Sequence, residues 1–486
     1  MDAWKKTPCL PRLVIAGASG DAGKTLLSLG LLLALKDRGA PVCAFKKGPD
    51  YIDPAWLSWA SGRPVRNLDT FLMGFEGSYA AFARHALPDG FNLIEGNRGL
   101  FDGVDAAGTH STAALAKTLQ APVLLVVNAT KVTRTAAAWV LGCQRLDPAV
   151  HTAAVVLNRV RGARHEAMLR ESIESTCGIP VVGALPVVGS EILLPARHLG
   201  LVTPSEHPKI DGLEGSLRRL VETHVDVERV VRLAHEAPPL GVPPGDIVDL
   251  PQGKGLCLGY LRDSAFTFYY PENLEALESA GARLMPVSAL SSSELPLELD
   301  ALYMGGGFPE THAEQLCSNR RFLESLRERI QEGMPVYAEC GGLMLLSRAI
   351  LWRGRRFPMA GALPFAVEMC PRPQGHGYTV LSVDTPNPFF PVGTQLRGHE
   401  FHYSRVVLEG APLATACAVV RGSGCYDRRD GILMGNVWAS YTHLHARATP
   451  EWVGGMVRAA RNYSKIKSCM CDSAYGMLES SSAKAS

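Results

Sequence analysis

RLVIAGASGDAGKTLLSLGLLLALKDRG, residues 12–39, sets a short β-rich run, a glycine loop and a segment of helical length in direct succession. Gly17, Gly20 and Gly23 precede Lys24 and Thr25, and the helical segment closes at Gly39. Glycine lets backbone N–H groups approach phosphate oxygens closely. Lys24 would then reach the β and γ phosphates, and the Thr25 hydroxyl would ligate Mg²⁺. The first glycine stands one place earlier than in the strict spacing, with Ala18 in the expected position. The strand–loop–helix context marks a nucleotide site at the head of an α/β unit.

Outward from this stretch the pattern repeats. "PVCAFKKG", "FNLIEGN", "APVLLVVNA", "TAAVVLNRV" and "IPVVGALP" are buried-strand runs with helical segments between several of them. Such runs predict a parallel sheet covered on both faces. From 206 to 250 a helical stretch passes into "APPLGVPPGDIVDLPQG", which predicts a helical and Pro/Gly-rich linker. A second alternation follows, through "GLCLGYLRD", "RLMPVS", "ALYMGGGFPE" and "PVYAEC", then shorter β-like pieces to "SYTHLHA". The expected class is α/β with two doubly wound, mostly parallel sheets. The expected domains are 1–205 and 251–447, with a helix and a disordered tail over 448–486.

Composition removes several function classes. Of 486 residues, 47% are apolar and 20% charged, as in ordinary globular chains. The net charge of +2 leaves no electrostatic footprint for nucleic acid or an anionic membrane. No run approaches the ~18 apolar residues of a membrane span, and a separate signal peptide is not expected before the first strand. The twelve cysteines contain no C-x-x-C pair. They fit a reduced, cytoplasmic protein with most thiols buried as small apolar groups.

Two polar clusters fall where strands should end. "FKKGPDYIDP" brings Lys46, Asp50, Tyr51 and Asp53, and "LIEGNRGLFDG" brings Glu95, Asn97, Arg98 and Asp102. In a doubly wound sheet these ends share the edge that carries the phosphate loop. Mg²⁺ takes few protein ligands beside phosphate and water, so carboxylates there suit it. Any single aspartate of the set could equally be a turn or helix cap.

"VYAECGGLMLL", 336–346, delivers Cys340 from a strand onto a glycine pair that opens a helix. A helix start and a nearby imidazole would favour the thiolate. The Gly341 N–H could hold an oxyanion, with a second donor from the loop Gly305–Gly307, where Gly306 is central. The base must come from elsewhere, and "SYTHLHA" offers His443 and His445, with His399 and His402 as competitors.

The set "KKGPDYIDP", "RNLD", "EGNRGLFDG", "GGGFPE", "YAECGGLM", "GHEFHYS" and "SYTHLHA", with the phosphate loop, resembles the cobyrinate a,c-diamide synthase family. The motifs stand in the family's order across about residues 12 to 447. The resemblance implies a dethiobiotin synthetase-like ATPase domain followed by a class I glutamine amidotransferase domain of the cobyrinate/cobyrate type. It implies ATP, Mg²⁺, L-glutamine and a cobyrinic acid-like tetrapyrrole polycarboxylate as reaction partners. Cys340 would attack the glutamine carboxamide, activated by His443, and ammonia would cross to the amino-terminal domain. There ATP would activate a carboxylate as an acyl phosphate. Gly17, Gly20, Gly23, Lys24, Thr25 and Lys46 would serve the nucleotide, and Thr25, Asp50 and Glu95 the Mg²⁺. Tyr51, Ile52, Asp53, Glu95 and Asp102 match positions linked to substrate handling, and both a and c acetates would be amidated at one site.

The chain departs from the family pattern in places. Many class I glutaminase domains carry Glu two residues after the catalytic His, where this chain has His445. "EGNRGLFDG" and "FKKGPD" stand in place of EGVMGLYDG and FKVGPD. Hydrogenobyrinic acid and nickel-sirohydrochlorin are alternative substrates, and cobyrate synthase is a related ligase. A switch ATPase with a relic glutaminase half is the alternative of a different class.

Overall fold

The structure is a computed structural model that describes residues 10–189, 196–197, 200–207, 210–241, 252–410 and 412–482. Residues 1–9 and the proline-rich 242–251 lie outside the described residues. The chain divides into two compact units, Met1–Asp246 and Ile247–Ser486.

The first unit alternates strand and helix throughout. It runs β1 (Arg12–Gly17), α1 (Lys24–Asp37), β2 (Val42–Lys47), α2 (Ile52–Ser61), β3 (Arg66–Leu68) and α3 (Gly74–His85). It continues with β4 (Phe91–Gly99), α4 (Thr112–Thr118), β5 (Val123–Asn128), α5 (Thr135–Leu146), β6 (Thr152–Val160), α6 (Ala163–Cys177) and β7 (Val181–Pro186). The seven strands lie in the order β3-β2-β4-β1-β5-β6-β7, and each neighbouring pair is parallel. Strands such as Val123–Val127 are buried on both faces, which is why they appear in sequence as unbroken apolar runs.

A two-strand hairpin, β8 (Ala196–Arg197) and β9 (Gly200–Leu201), follows, then α7 (Ile210–His224) and α8 (Val227–His235). These two helices correct the expected linker, because they are part of the first unit. Leu213, Leu217, Val221 and Val230 are buried. A Cβ on Gly30 of α1 would meet Val221 Cγ2 at 2.2 Å, so α7 packs onto α1 where that glycine removes a side chain. The chain after α8 is also tied down, with Arg12 donating to the Pro238 carbonyl at 2.7 Å and Tyr79 to that of Gly241 at 2.6 Å.

The second unit opens with β10 (Cys257–Leu261), α9 (Pro271–Ser279), β11 (Arg283–Val287), β12 (Ala301–Met304), α10 (Ala313–Ser318), α11 (Arg320–Gln331), β13 (Val336–Glu339) and α12 (Gly341–Leu346). Shorter strands follow: β14 (Ala349–Trp352), β15 (Arg355–Pro358), β16 (Phe365–Met369), β17 (Gly375–Val383), β18 (Gln395–His402), β19 (Ser404–Leu408) and β20 (Thr415–Arg421). Then come β21 (Arg429–Met434), β22 (Val437–Ser440), β23 (His443–Leu444) and α13 (Glu451–Ser482). The main sheet has the order β11-β10-β12-β13-β22-β21-β20-β17-β18-β23. It is parallel from β11 to β22 and antiparallel from there on, an extension the expected class did not specify. β15, β14, β16 and β19 make a separate four-stranded sheet.

Alternation along β13 splits the core of this unit. Val336, Ala338 and Cys340 join one apolar cluster, while Tyr337 joins the other with Tyr303 and Trp438. The tail expected to be disordered is instead helical through Ser482, as the continuation of α13. That helix is anchored early, by buried Trp452, Val453, Met456 and Val457.

Candidate active sites

In the first unit the phosphate loop joins β1 to α1, as the glycine spacing predicts. Gly23 has φ 100°, and a Cβ there would lie 2.0 Å from Asn158 Nδ2. Asn158, on β6, also donates to the Ala22 carbonyl at 2.9 Å, and so braces the loop from a strand the motif does not include. A Cβ on Gly17 would meet Ser19 O at 2.5 Å, whereas one on Gly20 meets nothing within 4 Å. Packing therefore requires glycine at 17 and 23 but not at 20.

Lys24 is buried, and its Nζ donates to the Arg98 carbonyl at 2.7 Å. Burial, then the neighbouring Lys46 charge, lowers its pKa from the ordinary lysine value. Thr25 Oγ1 donates to Glu95 Oε1 at 2.9 Å. Lys46 Nζ, at the end of β2, lies 2.5 Å from Asp53 Oδ2, 2.7 Å from Glu95 Oε1 and 4.0 Å from Asp50 Oδ2. Burial alone would discharge this lysine, but Asp53, Glu95 and Asp50 outweigh it and hold the ammonium charged.

Asp50 Oδ1 accepts the Ile52 N–H at 2.8 Å and that of Asp53 at 3.3 Å, so it caps the start of α2, with Tyr51 between. Burial and the adjacent Asp53 carboxylate raise the Asp50 pKa to about 7. Burial would raise Asp53 too, but Lys46 pulls it below the usual carboxylate range. Asp102 is exposed and its Oδ2 accepts the Gly99 N–H at 2.8 Å, which closes the turn after β4. Thr25, Lys46, Asp50, Asp53 and Glu95 are thus linked through direct contacts, with Lys24 next to Thr25 in the chain, and Asp102 stands just outside that network.

Among the described residues no group of three or more His, Cys, Asp or Glu is arranged to hold a metal ion by itself. The residues nevertheless suit Mg²⁺. Glu95 is fully buried and its Oε2 has no hydrogen-bond partner, and the Thr25 hydroxyl lies against the other oxygen. A site completed by phosphate oxygens and water requires no more protein ligands than these.

In the second unit Cys340 sits between β13 and α12 with φ 47° and ψ −95°, a strained elbow for a residue with a side chain. Its N–H donates to the Ser440 carbonyl on β22 at 2.8 Å. Burial, then Glu310, pushes the thiol pKa far up, and the Gly341 N–H only partly opposes them. Both effects favour the neutral thiol over the thiolate.

Gly306 and Gly341 come together here. A Cβ on Gly341 would lie 3.0 Å from Gly307 N and 3.3 Å from Gly306 C. A Cβ on Gly306 would lie 2.6 Å from His443 Cε1 and 3.3 Å from its Nε2. The elbow, the triple-glycine loop and the His443 ring thus pack where no side chain would fit. His399 stacks on His443 at 5.0 Å, and burial, then His443, drives its pKa well below the ordinary value. His402 is engaged elsewhere, against Tyr441 and the Ser404 carbonyl. His445 lies over Tyr270 at 4.6 Å with Nε2 3.7 Å from Glu272.

Sequence reasoning missed Asp430, which lies in no quoted motif, and Glu339, which lies within YAECGGLM but was passed over for its neighbour Cys340. Asp430 is fully buried and accepts from Thr442 Oγ1 at 2.8 Å and from the Tyr441 and Thr442 N–H groups, fixing the turn that presents His443. Glu339 lies beside His443, 105 positions from the strand it meets.

A phosphate loop with a buried acidic cluster in one unit, and a thiol elbow packed on the glycine loop that meets an imidazole in the other, define a glutamine-dependent, ATP-using amide ligase. Residues 13–201 match the CobQ/CobB/MinD/ParA nucleotide binding domain, and residues 258–451 the CobB/CobQ-like glutamine amidotransferase domain. The chain is 45% identical to the cobyrinate a,c-diamide synthase of Magnetococcus marinus over 454 residues, 92% of this chain and 97% of that protein. It is 41% identical to that of Archaeoglobus fulgidus over 437 residues, 90% of this chain and 94% of that protein. With the protein of that name from Syntrophotalea carbinolica it shares 42% over 460 residues, 93% and 99% of the two chains. The chain belongs to the cobyrinate a,c-diamide synthase family.

Proposed function

We propose that this chain amidates the a- and c-acetate carboxylates of cobyrinic acid in cobalamin biosynthesis, consuming one ATP and one glutamine per amide. The observation that carries this is the pairing in one chain of the Lys24–Thr25–Glu95 cluster with the Cys340–His443 elbow. A carboxylate resists ammonia until it is activated, and ammonia released beside a buried thiol escapes protonation by bulk water. Two sites with those two tasks explain each other.

In the glutaminase reaction Cys340 Sγ attacks the carboxamide carbon of L-glutamine while His443 accepts the thiol proton. The C–N bond then breaks, His443 returns the proton to the departing nitrogen, and ammonia leaves a γ-glutamyl thioester. Water hydrolyses that thioester to glutamate and regenerates the thiol. The Gly341 N–H, with Gly306 beside it, serves the oxyanion.

In the first unit the loop around Gly17, Gly20 and Gly23 cradles ATP, and Lys24 exchanges the Arg98 carbonyl for phosphate oxygens. The γ-phosphoryl group passes to the acetate oxygen, giving an acyl phosphate and ADP. Ammonia adds to its carbonyl carbon and phosphate departs, leaving the amide. Mg²⁺, held by Thr25, Asp50 and Glu95, would neutralise phosphate charge. Lys46 contributes a fixed positive charge beside the phosphates, and Tyr51, Ile52, Asp53, Glu95 and Asp102 orient the macrocycle. Among the described residues no helix is long and apolar enough to cross a membrane, and the free thiols fit work in the reducing cytoplasm.

The test is mass spectrometry of the product from cobyrinic acid, ATP and glutamine. Two added amides on the a and c acetates support the proposal. A product formed only from hydrogenobyrinic acid or nickel-sirohydrochlorin would move the substrate, and no glutamate release under any condition would end it. Cys340→Ser is expected to abolish glutamine-driven amidation and to retain amidation driven by added ammonia.

A further inference from the structure

We propose that Glu339, the residue immediately before the nucleophile, is the positioning carboxylate for His443 and replaces the acid absent two places after it. The inference rests on the glutaminase reading above. His445 occupies that downstream place, and its ring is turned to Tyr270 and Glu272 of α9. Glu339 Oε2 lies 3.5 Å from His443 Nδ1, with both side chains sealed from solvent. Its Oε1 accepts the Leu444 N–H at 3.0 Å, which locks the carboxylate to the short strand that carries the histidine. Oε2 also accepts the Tyr303 hydroxyl at 3.1 Å.

The strand explains how neighbours can take separate roles. Cys340 continues the Val336–Ala338 face, whereas Glu339 continues the Tyr337 face. The positive φ at Cys340 bends the backbone sharply where the strand ends. His443 then has its Nδ1 toward Glu339 and its Cε1–Nε2 edge toward Gly306, which abuts Gly341. The His399 imidazole stacks on the ring, and the Tyr303 hydroxyl meets the same Glu339 carboxylate. Glu339 is an anion whose Oε2 approaches Nδ1 directly.

An acceptor at Nδ1 keeps the ring proton there and leaves Nε2 bare to take the thiol proton. An amide at the same place can donate to Nδ1 instead, which moves the ring proton to Nε2 and blocks that transfer. Glu339→Gln preserves shape and can still accept the Leu444 N–H. It is therefore expected to lower glutaminase kcat by roughly 100-fold or more, with glutamine KM changed less than about threefold. Amidation driven by added ammonia should stay at the wild-type rate. Glu339→Asp should recover part of kcat.

Nitrogen NMR of His443 in the full chain supplies a readout that a structural role would not move. Nδ1–H is expected in the wild type and Nε2–H in Glu339→Gln. Nε2–H in the wild type would overturn the proposal even if the Gln variant fails to fold. A Gln variant that keeps kcat within about threefold of wild type, or loses kcat with its tautomer unchanged, would also overturn it. A wild-type chain without glutaminase activity would instead defeat the underlying reading, so the two failures are distinct.

Discussion

Lys46 Nζ and Glu95 Oε1 meet at 2.7 Å across paired positions of the neighbouring parallel strands β2 and β4, both closed to solvent. The pair sits at the edge where the phosphate loop ends, so the nucleotide site contains a cation of its own. Lys46→Met would strand two carboxylates and is expected to destabilise the first unit by about 3–5 kcal/mol. Glu95→Gln should cost less than Lys46→Met, because Asp53 still neutralises the lysine at 2.5 Å. Urea unfolding of the two variants tests the order, and equal losses would contradict it.

The three loop glycines should separate on mutation. Gly23→Ala combines a φ of 100° with a 2.0 Å collision against Asn158, and at least about 1–3 kcal/mol of strain is expected along with loss of ATP-dependent amidation. Gly20→Ala should melt within about 1 °C of wild type, since its Cβ enters open space. Any change there should fall on the KM for ATP. Differential scanning calorimetry beside ammonia-driven kinetics would show it.

Cys340 alkylation should climb through the alkaline range without a plateau. Burial and Glu310 hold the group as a thiol, and only the thiolate reacts. Glu310→Gln removes the second of these and should speed iodoacetamide modification at about pH 8 by several-fold. Mass spectrometry of the Cys340 peptide measures this. A plateau near neutral pH would contradict this expectation.

Alkaline pH should weaken the second unit. Burial raises the pKa of Cys340, Cys417, Cys425, Tyr303, Tyr337 and Tyr441 above their ordinary values of 9.0 for cysteine and 10.0 for tyrosine. Groups raised on folding give stability that is complete below the unfolded pKa and lost as pH climbs toward the folded one. Denaturant midpoints for this unit should hold from about pH 7 to 8.5 and then fall. A midpoint still level at about pH 10.5 would refute the reasoning.

Much of this was legible in sequence, for identifiable reasons. Parallel strands buried on both faces leave unbroken apolar runs, and the loop glycines and the Cys340 elbow are local geometry that short motifs encode. The helices over 210–235 were misplaced because their apolar face shows that they pack, not on what. Gly30 opposite Val221, and the Arg218–Asp37 ion pair, reveal the partner. The helical tail through Ser482 had no apolar pattern to announce it. Asn158, Asp430 and Glu339 were silent since each acts through a strand pairing distant in sequence. The upward push on the Cys340 thiol comes from burial and then from Glu310, and no spacing rule brings Glu310 to Cys340.

The backbone bond from Cys340 to Ser440, and the carboxylate bond from Glu339 to Leu444, tie the elbow to the last strands of its unit. A ribosome therefore exposes the thiol long before it supplies the imidazole. Incomplete chains carry Cys340 without His443, so under the proposed reaction glutamine hydrolysis cannot begin until nearly the whole unit has been synthesised.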